Sequence, residues 1–315
     1  MEFERFCAGH DELSRRLDRV SKRILEAKGV TGNVFSLLRK GLIRINGRHS
    51  LPSYLIKEGD VICVARFLLE GGKPHLKKIS SPCATFTPLD TIDLIDSMAT
   101  TLFRNDHLWI LNKKPGVCVQ PDGRHSSLFD VVAACTIKSS LSFKPGCLHR
   151  IDQGTSGIVV FSQSATGARW FSSKLRGHTL KRSYLAIAQG HLARGEIVFD
   201  KAIAGKAALT CIHLLATGSF LGQPLSLVEA QIETGRKHQI RIHLAQNGNP
   251  LLGDTRYGGS PLQGSSAHQG RFFLHAAYLR LGENPLGAPL EVHAPVPEDF
   301  RLFERKTFGE PPRNR

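Results

Sequence analysis

The chain has 315 residues, 41% hydrophobic and 22% charged, values ordinary for a globular protein and enough for two hydrophobic cores. Its 42 Lys and Arg against 27 Asp and Glu leave a net charge of +15, so a polyanionic partner is expected, nucleic acid ahead of an anionic membrane surface. No apolar run approaches the ~18 residues of a membrane span. No leader-like apolar segment follows Met1-Glu2-Phe3-Glu4-Arg5. The cysteines, Cys7, Cys63, Cys83, Cys118, Cys135, Cys147 and Cys211, are scattered and odd in number, with no Cys-x-x-Cys pair. That argues against a disulfide framework and a structural zinc site, and for a reducing cytoplasm.

In chain order, Leu13, Leu17, Val20, Ile24 and Leu25 recur at three- and four-residue spacing, the stripe of an amphipathic helix. Arg15, Arg16, Arg19, Lys22 and Arg23 fall largely off that stripe. Val34 to Arg39 reads as a second helix, stopped at Lys40-Gly41. Leu42 to Ile45 is a strand, Asn46-Gly47 is a tight-turn signal, and Asp60 to Val64 is a last strand. The stretch from Glu70-Gly71-Gly72-Lys73-Pro74 through Ser80-Ser81-Pro82 has no periodicity and reads as a linker. The expected division is a small basic unit over 1–70, a linker over 71–89, a larger unit over 90–305 and a disordered tail over 306–315.

The larger unit mixes strands and helices without regular alternation. His107 to Leu111, Ile158 to Phe161, Ser183 to Ala188 and Leu225 to Ile232 read as strands, Leu128 to Cys135 and Ala165 to Leu175 as helices. Gln239 to Leu244 is ambiguous: it alternates like a strand, yet Asn247-Gly248 and Pro250 are helix stops. The class is α+β. No Gly-rich phosphate loop is present, so no nucleotide cofactor is implied.

Chemistry concentrates at His149-Arg150-Ile151-Asp152-Gln153-Gly154-Thr155-Ser156-Gly157. Asp152 is either a turn carboxylate capping its own backbone or a nucleophile or base kept ionised by basic neighbours. His238 and His243 stand five apart, do not share a helical face and have no acidic third ligand nearby, so no metal is expected.

The Asp152 segment, followed by the apolar run Ile158-Val159-Val160-Phe161, resembles the active-site signature of RluA-type RNA pseudouridine synthases. Further blocks follow in that family's order: Leu111-Asn112-Lys113-Lys114-Pro115-Gly116-Val117, Lys181-Arg182-Ser183-Tyr184-Leu185-Ala186 and Glu233 to Leu244. Asn249-Pro250-Leu251-Leu252-Gly253-Asp254, Phe273-Leu274-His275-Ala276 and Ala294-Pro295-Val296-Pro297 complete the set. Gln153-Gly154 departs from the family's usual basic–acidic pair, and Glu283-Asn284-Pro285 stands where a His-Pro is more usual. Arg16-Leu17-Asp18, Leu38 to Gly47 and Lys57 to Ile62 are similar to the S4 RNA-binding domain.

The resemblance implies a largely antiparallel synthase core with a small N-terminal αα-hairpin S4-like domain. It implies conversion of uridine to pseudouridine within RNA, without cofactor. Asp152 is then the nucleophile or base, attacking C1′ or removing a proton from C2′. Tyr184 lies against the base and can help remove its C5 proton. The resemblance makes the segment from about Lys237 a helix, on which Arg241 pairs with Asp152 and Ile240 forms an apolar floor. Substrate contacts extend to His149, Arg150, Thr155, Ser156, Arg236 and His238. RNA contacts fall on Arg15, Arg16, Arg19, Lys22, Arg23, Arg39, Lys40 and Arg44. The expected partner is 23S-type ribosomal RNA, bound by a monomer. Transfer RNA, an inactive RNA-binding assembly factor and a metal-dependent nuclease or hydrolase stand as alternatives.

Overall fold

The computed structural model describes residues 1–70, 88–122, 126–136, 143–261 and 271–309. The first stretch folds around its own core. It contains β1 (Phe3–Cys7), α1 (Leu17–Ala27), α2 (Val34–Arg39), β2 (Ile43–Ile45), β3 (Val61–Ala65) and α3 (Arg66–Glu70). The antiparallel sheet runs β1-β3-β2. Leu17, Val20, Ile24 and Leu25 of α1 bury against Leu38, Ile43, Ile62 and Val64, as the helical stripe requires. Leu13 and Arg15 are not on that helix. Ser14 adopts φ 59° and Leu17 N donates to Tyr54 O at 2.8 Å, so helical geometry starts only at Leu17. The side chain of Asn33 caps α2 by accepting from Phe35 N and Ser36 N at 3.0 and 3.3 Å.

At Asn46-Gly47 both residues take positive φ, 50° and 77°, and Ile45 and Arg48 exchange backbone hydrogen bonds of 2.9 Å. The turn therefore forms, but the strand that pairs with β2 begins only at Val61. Asp60 organises the detour, accepting from Asn46 Nδ2, Tyr54 Oη and Lys57 N at 2.8, 3.0 and 2.8 Å.

The larger unit comprises α4 (Pro88–Met98), β4 (Ala99–Arg104), β5 (Leu108–Lys113), α5 (Leu128–Cys135), β6 (Gly146–Cys147), β7 (Ser156–Ser162) and α6 (Ala165–Arg176). Then follow β8 (Lys181–Gln189), β9 (Glu196–Phe199), β10 (Thr210–Phe220), β11 (Gln223–Ile232), α7 (Gln239–Gln246), β12 (Leu274–Arg280), β13 (Glu291–His293) and α8 (Glu298–Phe308). Two expected boundaries change. Residues 88 and 89 begin α4 and are not linker, and 306–308 complete α8 and are not tail. Of those two segments, 71–87 and 310–315 lie outside the described residues.

The class is α+β with a largely antiparallel sheet, in the order β4-β5-β7-β12-β8-β11-β10-β9, with β6 beside β7 and β13 beside β12. Its parallel pairing joins β7 to β12 at Ser156↔His275 and Gly157↔Ala276. Gly157 makes this approach possible. Its φ is +110°, and a Cβ there would lie 2.3 Å from the Ala276 carbonyl oxygen. On β8 the pleat sorts side chains to opposite faces. Tyr184, Ala186 and Ala188 join the core that contains β5, β7 and α5, whereas Leu185 and Ile187 join Leu227, Phe273 and Phe300 under α8. The two units meet where Asp11 Oδ1 accepts from Ala165 N at 2.8 Å, placing a carboxylate at the positive end of α6.

Candidate active site

Asp152 sits in a turn closed by Thr155 N donating to Asp152 O at 3.0 Å, immediately before β7. The turn is braced from several directions. Lys113 Nζ, from the end of β5, donates to Gln153 O at 3.0 Å, and Gly116 N donates to the same oxygen at 2.9 Å. The side chain of Gln153 returns Nε2 to Gly116 O at 3.0 Å. Arg271 Nη1 reaches Gly154 O at 3.4 Å while its Nε pairs with Asp299 at 2.8 Å. Gln153, where the family more often carries a charge, is thus spent on bracing the turn.

Lys113 is fully buried, and its Nζ also donates to Lys114 O at 2.9 Å. Burial first, and the Arg271 charge second, push its pKa down to about 7, against smaller opposing pulls from Cys118 and Asp152. A neutral amine has two hydrogens for its two carbonyl acceptors, so deprotonation does not orphan either bond.

Opposite Asp152 stands Arg241 of α7. Its Nη1 lies 3.0 Å from Asp152 Oδ2, closing a gap of 89 residues in sequence. Its Nε and Nη2 clamp Asp254 at 2.7 and 2.8 Å. The guanidinium carbon is 4.2 Å from the Phe272 ring centre and 5.0 Å from that of Tyr257. Burial works to lower the Arg241 pKa, but the bonds to Asp254 and Asp152 reverse that and leave it raised. The Asp152 side chain keeps 22% of its surface open, so a carboxylate oxygen faces the pocket.

His238 takes φ 58° at the N-terminus of α7. That bend brings Nε2 to 3.7 Å from Asp152 Oδ1, while Nδ1 pairs with Tyr257 Oη at 2.7 Å. Burial lowers its pKa, and Arg241, Arg256 and Lys237 add to that against the pull of Asp152. The imidazole is therefore neutral at pH 7, and its approach to Asp152 is not an ion pair. Tyr184 is buried at the pocket wall. Burial raises its phenol pKa and the Asp152 charge adds to this, with Arg182 opposing. The hydroxyl is a donor at neutral pH.

Of the other residues singled out in the sequence, Arg150, Thr155, Arg236 and Ile240 line the same pocket. Arg236 is partly committed, donating Nε to Ala207 O at 2.9 Å. Two do not line it. The His149 ring turns onto Phe171, with centroids 5.8 Å apart, and burial pushes its pKa down to about 3. Ser156 Oγ pairs with His275 Nδ1 at 3.0 Å inside the sheet. Both serve packing because they face inward from the loop and from β7.

Four residues were given no role by the sequence. Asp254 and Tyr257 anchor Arg241 and His238. Lys113 supports the turn. Arg182 lines the pocket, bonded to Glu233 O at 3.0 Å and with Nε buried without a partner. Its signal was spacing: two residues before Tyr184 on a strand means the same face. On the N-terminal unit, Arg39 and Lys40 are exposed, and Lys22 and Arg23 approach Glu26 at 3.9 and 3.8 Å. Arg44 is committed internally, its Nε bonded to Gly41 O at 3.0 Å and its guanidinium 4.8 Å from the Phe3 ring centre. Among the described residues no group of three His, Cys, Asp or Glu is placed to hold a metal.

The arrangement can hold a planar uncharged ring against Tyr184 while presenting an arginine-held carboxylate to whatever is attached to that ring. Comparison with known proteins gives the class. Residues 107–246 match the family described as RNA pseudouridylate synthase. Over 283 residues, 85% of each chain, the protein is 30% identical to the uncharacterized RNA pseudouridine synthase YhcT of Bacillus subtilis. It is 27% identical over 322 residues, 94% of each chain, to ribosomal large subunit pseudouridine synthase C of Escherichia coli K12. In fold it is similar to human RNA pseudouridylate synthase domain containing 4, with a TM-score of 0.54 and 22% identity, covering 70% of this chain and 95% of that one. The protein belongs to the RNA pseudouridine synthases, of the RluA type. It is accordingly an enzyme that isomerises uridine in RNA.

Proposed function

We propose that the chain modifies uridine in large-subunit ribosomal RNA and that Asp152 acts on the sugar of the flipped nucleotide. The 3.0 Å contact between Arg241 Nη1 and Asp152 Oδ2 carries the assignment of the site, because it aims a partly exposed carboxylate into a pocket lined by Tyr184 and Ile240. The rRNA target is supported by likeness to ribosomal large subunit pseudouridine synthase C over 94% of the chain. The N-terminal unit acts as an S4-like RNA-binding domain, its helix order and basic α1 supporting that reading.

The reaction conserves every atom. The N1–C1′ bond breaks, C5 bonds to C1′, the C5 hydrogen leaves as a proton and N1 gains one. Asp152 engages the sugar either by attack at C1′ or by taking a proton from C2′; deuterium at C2′ slows only the second route. Tyr184 stacks on the uracil and donates its hydroxyl. Its raised pKa counts against a role as base at neutral pH. Ile240 closes the apolar side.

The test uses purified protein, a large-subunit rRNA transcript and pseudouridine mapping by carbodiimide-blocked primer extension. Asp152→Asn abolishes the modification and leaves RNA affinity within a few-fold. Persistent modification by Asp152→Asn overturns the site assignment. Modification of transfer RNA in place of the rRNA transcript overturns the target.

A further inference from the structure

A second cleft, sharing no residue with the Asp152 pocket, opens between the two units. It encloses about 480 Å³. Arg15, Arg16, Arg19 and Arg23 form one wall, and Lys144 and Arg169 of the catalytic unit form the other. The N-terminal wall is partly neutralised and the catalytic wall less so. Arg16 pairs with Asp18 at 2.8 Å and Arg23 approaches Glu26 at 3.8 Å. Arg19 acts on Asp18 without forming an ion pair, Lys144 has no ion pair among the described residues, and Arg169 donates to the Thr166 hydroxyl at 3.3 Å. The nearby acids offset Arg15 and serve other bonds too: Asp11 caps Ala165 N, and Glu12 Oε2 accepts from Gly9 N at 3.1 Å. The walls also feel one another: burial lowers the pKa of Arg15, Glu12 and Asp11 pull it back up, and Arg23 beside it and Arg169 across the cleft push it down. Like charges facing each other across a groove repel unless an anion lies between them.

We propose that this cleft takes a run of RNA backbone phosphates, so that Arg169 and Lys144 bind substrate RNA jointly with the arginines around α1. The inference rests on RNA being the substrate. It adds a binding surface on the catalytic unit that the sequence did not reveal, because Lys144 and Arg169 lie far along the chain from the basic N-terminal run. Guanidinium groups pair with phosphate oxygens through two parallel bonds, and RNA offers the repeated anions that facing walls need. The bond from Ala165 N to Asp11 ties the walls together at the base of the cleft. A phosphate run seated there fixes the distance along the RNA between its anchor and the nucleotide entering the Asp152 pocket.

The experiment measures fluorescence anisotropy of a labelled rRNA transcript against the full chain between about 50 and 200 mM salt. Arg169→Glu and Lys144→Glu each weaken binding and reduce the slope of log K against log salt by about 0.7–0.9 for each phosphate no longer neutralised. Arg194→Glu, an exposed charge outside the cleft, makes the same change in net charge and leaves the slope near that of the parent. Should a reversal variant melt early, Arg169→Gln removes the charge without adding one and is read the same way. Slopes for Arg169→Glu and Lys144→Glu equal to that of Arg194→Glu overturn the proposal. So does intact RNA binding combined with lost binding to phosphatidylserine vesicles, which would assign the cleft to a lipid surface. Because the readout is binding, loss of modification with binding intact bears on the Asp152 pocket and not on this cleft.

Discussion

Asp254 takes both Nε and Nη2 of Arg241, at 2.7 and 2.8 Å, and so decides which edge of the guanidinium is left for Asp152. The pair is buried, the Asp254 side chain being only 1% exposed. Removing Asp254 leaves the buried guanidinium with Asp152 as its remaining carboxylate, at 3.0 Å. Asp254→Ala is expected to destabilise the fold by up to about 3 kcal/mol, read by urea unfolding. Asp254→Asn keeps the shape but not the charge, freeing Arg241 to rotate. Its kcat falls at least about tenfold while RNA affinity stays near that of the parent, the mark of a positioning residue. Unchanged kcat in Asp254→Asn removes Asp254 from this role.

Lys113 predicts a pH-dependent stability. Its folded pKa of about 7 lies below the ordinary lysine value of 10.5, so between them the unfolded chain binds more protons than the folded one. Stability then rises with pH across that window, by at most about 1.4 kcal/mol per unit from this group. Lys113→Met deprives the Lys114 carbonyl of its donor, at a cost of about 1–3 kcal/mol in alkaline solution. It also flattens the rise between neutral pH and about pH 9. Parallel pH–stability curves for parent and variant would contradict the buried neutral amine.

Gly157 predicts a backbone failure beside the active site. Gly157→Ala places a Cβ 2.3 Å from the Ala276 oxygen at φ +110°. The β7–β12 contact must part. Strain and overpacking together are expected to cost about 3 kcal/mol. Thermal melting reads this directly, and a melting temperature equal to that of the parent refutes the argument.

His238 predicts a displaced titration. Burial lowers its pKa below the ordinary histidine value, so any limb it gives in the rate–pH profile falls on the acid side of about pH 6.5. His238→Asn removes that limb and leaves the alkaline side of the profile unchanged. A limb above about pH 6.5 that vanishes in His238→Asn would contradict the lowered pKa.

Much of the site was legible because its members lie in short runs with distinctive turns. Asp152, Tyr184, Arg236, His238 and Arg241 all come from segments visible in the sequence, and they line one pocket. Asp254 and Lys113 were not singled out, because a buried anchor looks like any charged residue until its partner is located. By periodicity alone helix α7 was ambiguous, because it is buried on several sides, and only the family resemblance made it a helix. Gln239 is held by Thr210 at 2.9 Å and His243 by the Lys201 carbonyl, also at 2.9 Å, so polar positions point inward and no stripe remains. β10 was missed for a related reason, its mixed partial burial giving no clean alternation. β1 went unread because its pairing partner lies beyond residue 60.

The parallel join at Ser156 and Gly157 divides the large sheet into two antiparallel wings, and the pocket draws on both. Asp152 leads into one wing, whereas Tyr184 lies on β8 of the other and Arg241 on α7, which follows that wing's β11. Longer or shorter loops at the outer rim of either wing can therefore reshape the approach for a different RNA contour, while the seam holds the reacting carboxylate in place. In this scaffold the choice of target and the chemistry performed on it can evolve independently.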